Sequence, residues 1–148
     1  GLQMLGEALV DPHGIDGNAP GLGLLPLVTV FEPDKTVCRT ESAFGPLQGA
    51  WAPLSGLSVR GYEIHHGRTA QHPAMAAAQV ALQGALGWCN AQGNVLGVYL
   101  HGLFEDAGVL RALFGADVPT PDSVFDGLAD YVDAHFAPGV LAGLLDPR

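Results

Sequence analysis

NVLGVYLHGLF, residues 94–104, is the stretch that decides how this chain reads. It follows a turn over Asn90–Gly93 and is apolar without a break from Val95 to Leu100. A short, continuous apolar run bounded by turn residues suits a strand covered on both faces. The run ends in His101 and Gly102. In open α/β sheets ligands bind outside the carboxyl ends of the strands. A histidine there can act as a general base. It can equally cap the strand and bond to backbone, and position alone leaves both readings open.

Working outward, the flanking segments alternate between strand and helix. LLPLVTVFEP predicts a strand over Leu27–Phe31, entered after Pro26 and stopped before Pro33. LSVRGYEIHHG predicts a second over Val59–His66. Leu2, Leu5 and Leu9 recur at helical spacing, so Leu2–Val10 reads as a short helix. DPHGIDGNAPGLG is turn chemistry and reads as a loop. Pro73 opens AMAAAQVALQGALG, whose alanines favour a helix stopped at Gly87. Ala107–Phe114 predicts another helix, and Thr120 with Pro121 makes an N-cap and first position for the next. Phe125, Leu128, Val132 and Phe136 form the apolar stripe of that helix, and Gly139–Leu145 closes the chain. Strands mixed with helices, one of them fully buried, argue an α/β fold.

Composition narrows the function. The 148 residues are 48% hydrophobic and 14% charged, enough to bury the core of one ordinary domain. A net charge of −9 with only six Lys and Arg gives no basic patch for nucleic acid. Gly, Pro or polar residues interrupt every apolar run before it reaches membrane-spanning length. Two cysteines, Cys38 and Cys89, stand far apart in no metal or redox pattern, which suits a reduced, cytoplasmic protein.

Two further places can carry chemistry. Glu63 and His65 share one face of their strand, about 7 Å apart by the usual rise, with Tyr62, Ile64 and His66 on the other. The pair reads as site residues, as a weak metal pair, or as solvated polar residues. The opening GLQMLG sets glycine before a helix start, which lets backbone approach a ligand or simply begins a helix. Neither cysteine is well placed as a nucleophile. Cys38 lies just past a strand, and Cys89 lies at a helix C-terminus, where the dipole disfavours a thiolate.

In this order, GLQMLG, GIDGNAPGLGLLPLVTVFEPDKT, GYEIHHGRT and GNVLGVYLHGLFED closely resemble the glutamine amidotransferase domain of the cobyric acid synthase family. The resemblance covers essentially the whole chain. It implies a flavodoxin-like class I amidotransferase fold, a mixed or parallel sheet flanked by helices. It also implies glutamine as substrate, with ammonia passed to an N-terminal synthetase domain that uses ATP and Mg²⁺ to amidate corrin carboxylates during cobalamin biosynthesis. A cysteine on a strand-to-helix elbow is the family's nucleophile. By the same resemblance His101 is its general base, Gln3 is the elbow glutamine that contacts the bound substrate, and Glu63 and His65 line the site. Gly102 and Leu103 stand where many class I relatives carry Pro-Glu, which fits a dyad. Position 66 is His where Met is commoner, and no role is attached to it.

The pattern's cysteine falls two residues ahead of Gly1. The expectation is therefore that residues 1–148 are the C-terminal part of such a domain, beginning just after the elbow cysteine and lacking its first strands. The chain alone is then expected to be inactive, to bind no cofactor of its own, and to self-associate through an exposed sheet edge. Two alternatives accompany this reading. One is a glutaminase subunit acting on a peptidoglycan precursor, and the other is a non-catalytic binding module of the same fold.

Overall fold

The apolar run around Tyr99 does not form one buried strand. In the computed structural model, which describes residues 1–72, 74–75, 77–115 and 117–145, it divides between two sheets. Strand β7 (Leu96–Val98) pairs with β6 (Gly87–Cys89), which pairs with β5 (Gln79–Leu82), closing a three-stranded antiparallel sheet. Two residues later β8 (Leu100–His101) joins a second, mixed sheet ordered β2-β1-β3-β4-β8. Its other members are β1 (Ala8–Val10), β2 (Ala19–Pro20), β3 (Leu27–Ala43) and β4 (Ser58–Gln71). Tyr99 sits at the crossover, its N–H bonded to Leu86 O at 2.7 Å.

The α/β class is as expected, and several elements differ from the sequence reading. Only Leu2–Leu5 is helical (α1), and Ala8–Val10 is a strand parallel to Val28–Val30. One helical turn is all the chain can form there, because Glu7 N–H already bonds Leu27 O and begins the ladder. The strand from Leu27 does not stop at Pro33. It continues to Ala43 as a long antiparallel ribbon with β4, and the ladder breaks between Val30 and Lys35. Pro33 falls inside that bulge, where no ladder N–H is required.

The alanine-rich segment is the largest departure. Pro73, its expected first residue, lies outside the described residues. Gln79–Leu82 is strand, followed by a 3₁₀ turn over Gln83–Ala85. Alanine's helical advantage is only tenths of a kcal/mol per residue. Burying Leu82 and Trp88 contributes about 1.5–3 kcal/mol for a side chain of that size, and both are core residues here. Consequently Cys89 is a buried strand residue, not the end of a helix, and Cys38 lies within β3, not beyond it.

The remaining helices form where predicted. Helix α2 (Ala107–Phe114) is capped by the Asp106 carboxylate, which accepts from Val109 N–H at 3.0 Å. Helix α3 (Pro121–His135) has Thr120 as its N-cap, and α4 (Val140–Leu145) follows. The stripe on α3, however, faces solvent: none of the helix's residues is buried.

The core is built from Leu25, Leu27, Leu54, Val59, Leu82 and Val109, with α1 held on it by Leu2. Gly97 makes that contact possible, since a Cβ there would sit 2.5 Å from Leu2 Cδ1. The loop from Asp11 is organised by one carboxylate, which accepts N–H bonds from His13, Asp16 and Gly17 at 3.1, 2.8 and 2.6 Å. Among the described residues no helix is long and apolar enough to cross a membrane.

Candidate active site

Three distant segments converge on one cleft. α1 brings Gln3, β4 brings Ile64 and His65, and β8 brings His101. With Gly1 and Tyr99 they line a hollow of about 290 Å³. β8 reaches β4 because position 61 is glycine: a Cβ there would lie 2.2 Å from His101 O.

His101 is exposed, and its Nε2 lies 3.3 Å from Ile64 O. A carbonyl oxygen only accepts, so in this bond Nε2 carries the proton. A neutral imidazole held this way keeps its lone pair on Nδ1. The backbone bond and the general base, alternatives on sequence position, are thus compatible: the bond fixes the tautomer that leaves Nδ1 basic.

Gln3 donates from Nε2 to His66 O at 2.6 Å, which ties α1 across the cleft to β4. Beneath it lies a hydroxyl network. Tyr99 OH is hydrogen-bonded to Thr69 Oγ1, which is 2.6 Å from Thr29 Oγ1. Burial pushes the Tyr99 phenol up, against hydrogen bonds to Thr69, Gln3 and Thr29 that draw it down, and the net shift is upward. Tyr99 therefore stays protonated at neutral pH. Its ring also supports His65, the two centroids 3.9 Å apart.

Glu63 and His65 share a face, as alternation predicted, and form a pair, Glu63 Oε2 to His65 Nε2, at 3.4 Å. Glu63 Oε1 accepts from Thr40 Oγ1 at 2.5 Å, and Cys38 Sγ lies 3.8 Å away. Register separates this pair from His101. Glu63 opposes Leu100, and Tyr62 opposes His101. Directly opposed residues of an antiparallel pair point to the same face. Glu63 and His65 are therefore both on the other face of β4 from His101, and Glu63 pairs with His65 rather than with His101. Of the four sequence candidates, Gln3, His65 and His101 line the cleft, and Glu63 does not.

Tyr99, Thr69 and Thr29 were not singled out from the sequence. The available signal was a tyrosine inside an aliphatic run, since a buried phenol normally finds a partner. His66, given no role, supplies the carbonyl that anchors Gln3, and its buried Nδ1 has no hydrogen-bond partner among the described residues.

No thiol lines the cleft among the described residues. Cys89 is buried, which pushes its thiol up, and Cys38 lies with Glu63. A larger hollow of about 550 Å³, lined by Arg39, Arg60, Tyr62, Gly102 and Glu105, adjoins β8 but contains none of the four candidates. We take the smaller cleft as the site because the candidate base faces it. Among the described residues no group of three or more His, Cys, Asp or Glu is arranged to hold a metal ion.

Comparison with known proteins identifies the family. A family model described as a CobB/CobQ-like glutamine amidotransferase domain matches residues 1–109. The cobyric acid synthase of Polaromonas sp. (strain JS666 / ATCC BAA-500) is 68% identical over 149 residues, covering 98% of this chain and 29% of that protein. That of Paracidovorax citrulli (strain AAC00-1) is 72% identical over 142 residues, covering 93% of this chain and 29% of its own length. That of Variovorax paradoxus (strain S110) is 68% identical over 146 residues, covering 98% and 30%. The chain thus spans less than a third of these relatives' length. With its fold, its cleft and these matches together, the chain belongs to the CobB/CobQ-like glutamine amidotransferase domain family.

Proposed function

We propose that this chain supplies the histidine base and the substrate cleft for glutamine hydrolysis in a cobyric acid synthase, whose ammonia amidates corrin side-chain carboxylates in cobalamin biosynthesis. The supporting observation is the convergence of Gln3, His65 and His101 on one cleft beside the first turn of α1. Names of the relatives favour the corrin enzyme over a glutaminase acting on a peptidoglycan precursor.

In this reading the nucleophile is the family's elbow cysteine, placed two residues ahead of Gly1. His101 Nδ1 takes the thiol proton, and the thiolate attacks the side-chain amide carbon of glutamine. Collapse of the tetrahedral intermediate expels ammonia as His101 returns the proton to nitrogen. Water, deprotonated by the same Nδ1, then attacks the thioester carbonyl, releasing glutamate and restoring the thiol. Ile64 O holds Nε2–H throughout, the role a carboxylate plays in a triad. Gln3, tied to His66 O and Tyr99, fixes the floor on which glutamine rests. ATP and Mg²⁺ act in the synthetase part. Two unpaired thiols suit the reducing cytoplasm, where we place the protein.

The test uses the full-length polypeptide carrying these residues. His101→Asn is expected to lower glutamine-dependent amidation by about 10²–10⁴-fold, while amidation driven by ammonium chloride is unchanged. Loss of both activities together, or of neither, would overturn the assignment.

A further inference from the structure

We infer that helix α3, with α4, is a docking helix that seats its apolar stripe in a groove rimmed by lysine and arginine, on the part of the cobyric acid synthase polypeptide outside these 148 residues. The inference rests on the family reading above.

The first observation is an amphipathic helix whose apolar side stays largely exposed among the described residues. Phe125 is 67% exposed, Leu128 56% and Tyr131 57%, and Leu144 on α4 is 77% exposed. Monomeric proteins rarely leave large apolar side chains contiguous and bare. Helix α3 is otherwise well made, with Thr120 Oγ1 accepting from Ser123 N–H and Pro121 at its first position. Its sequence therefore specifies a helix whose stripe awaits a partner.

Charge identifies the partner. At about 100° per residue, Asp122, Asp126, Asp130 and Asp133 fall within an arc of about 80° along one edge of the stripe. None of the four has a cationic partner among the described residues. Four like charges on one flank repel one another and complement a basic rim. A second copy of this chain is poorly suited to provide it. Fifteen Asp and Glu stand against six Lys and Arg, and Arg60, Arg68 and Arg111 are already ion-paired. An anionic lipid surface or a nucleic acid would meet the same repulsion.

Coverage indicates where the groove lies. The family match ends at residue 109, before α3 begins, whereas the cobyric acid synthase of Polaromonas aligns over 98% of the chain. The hairpin of α3 and α4 thus lies outside the residues that the family model matches and inside the alignment with the cobyric acid synthases. In that relative about 70% of the polypeptide lies outside the aligned part, since this chain covers 29% of it.

The experiment treats the full-length polypeptide with a water-soluble carbodiimide, which condenses a carboxylate with a neighbouring lysine amine. Amide links are expected from the peptide holding Asp122–Asp133 to lysines outside residues 1–148. The double variant Asp126→Lys and Asp130→Lys is expected to abolish these links. It should also cut glutamine-dependent amidation at least tenfold (about 1.4 kcal/mol), leaving ammonium-dependent amidation and the circular-dichroism spectrum unchanged. Links only to Lys35, links only between copies, or no links overturn the proposal, as does undiminished glutamine-dependent amidation in the variant. Wild-type protein that releases no glutamate from glutamine overturns the family reading instead, while the crosslinks still report on docking.

Discussion

A single backbone bond, His101 Nε2 to Ile64 O, bears on the chemistry at the residue scale. It sets the tautomer without any carboxylate, and Glu63, the nearest acidic candidate in sequence, is turned to the other face of β4. His101 was legible because it ends an apolar run, and Gln3 through the motif it stands in. That Glu63 does not line the cleft was not legible: alternation puts it on one face of β4 with His65, and only the tertiary structure sets which of the two reaches the cleft. Tyr99 was hidden in the same apolar run. Its hydroxyl network predicts that Tyr99→Phe, which leaves Thr69 and Gln3 short of a partner, destabilises the domain by about 1 kcal/mol. Thermal unfolding is expected to show a midpoint lower by about 2–4 °C, with a raised KM for glutamine in the full-length enzyme. Identical midpoints and KM would show that the network contributes nothing.

Elements were predicted best where a local signal agreed with packing. Helices α2 and α3 form where Asp106 and Thr120 cap them. The alanine-rich segment fails because its weak helical preference competes with burial of Leu82 and Trp88 between strands. The loop after β1 was legible as turn chemistry, and its physics resides in Asp11. Burial works to raise that carboxyl, but N–H donors from Gly17, Asp16, His13 and Ile15 outweigh it and its pKa is lowered. A carboxylate with a depressed folded-state pKa stabilises above its unfolded value and loses that contribution as pH falls through the folded one. Asp11→Asn is therefore expected to melt at a lower temperature than wild type at pH near 7. The two midpoints should converge as pH drops below about 4, as followed by circular dichroism. A gap that persists or widens in acid would place the stabilisation elsewhere in the loop.

At the scale of the whole molecule, β1 pairs β3 only over Val28–Val30, so among the described residues Lys35–Ala43 has β4 on one side and no strand on the other. That edge is a surface for association between copies. A polypeptide of residues 1–148 is expected to form oligomers in a concentration-dependent way by analytical ultracentrifugation, and a species that stays monomeric across the range would refute this. The same polypeptide is expected to release no ammonia from glutamine, because neither cysteine reaches the cleft. Steady glutamate production by it would overturn that expectation and the assignment of the nucleophile with it.

By itself the sequence determined the α/β class, the strands at Leu27 and Val59, the capped helices, and His101 at a strand end. These follow from local rules of periodicity, turn chemistry and capping that neighbours rarely overrule. Tertiary structure alone decided that the apolar run splits between two sheets at Tyr99, that Ala-rich residues become strand, that Glu63 supports His65, and that the stripe on α3 is left bare. Each of those outcomes depends on which surfaces meet across long separations in the chain, and no local pattern encodes that.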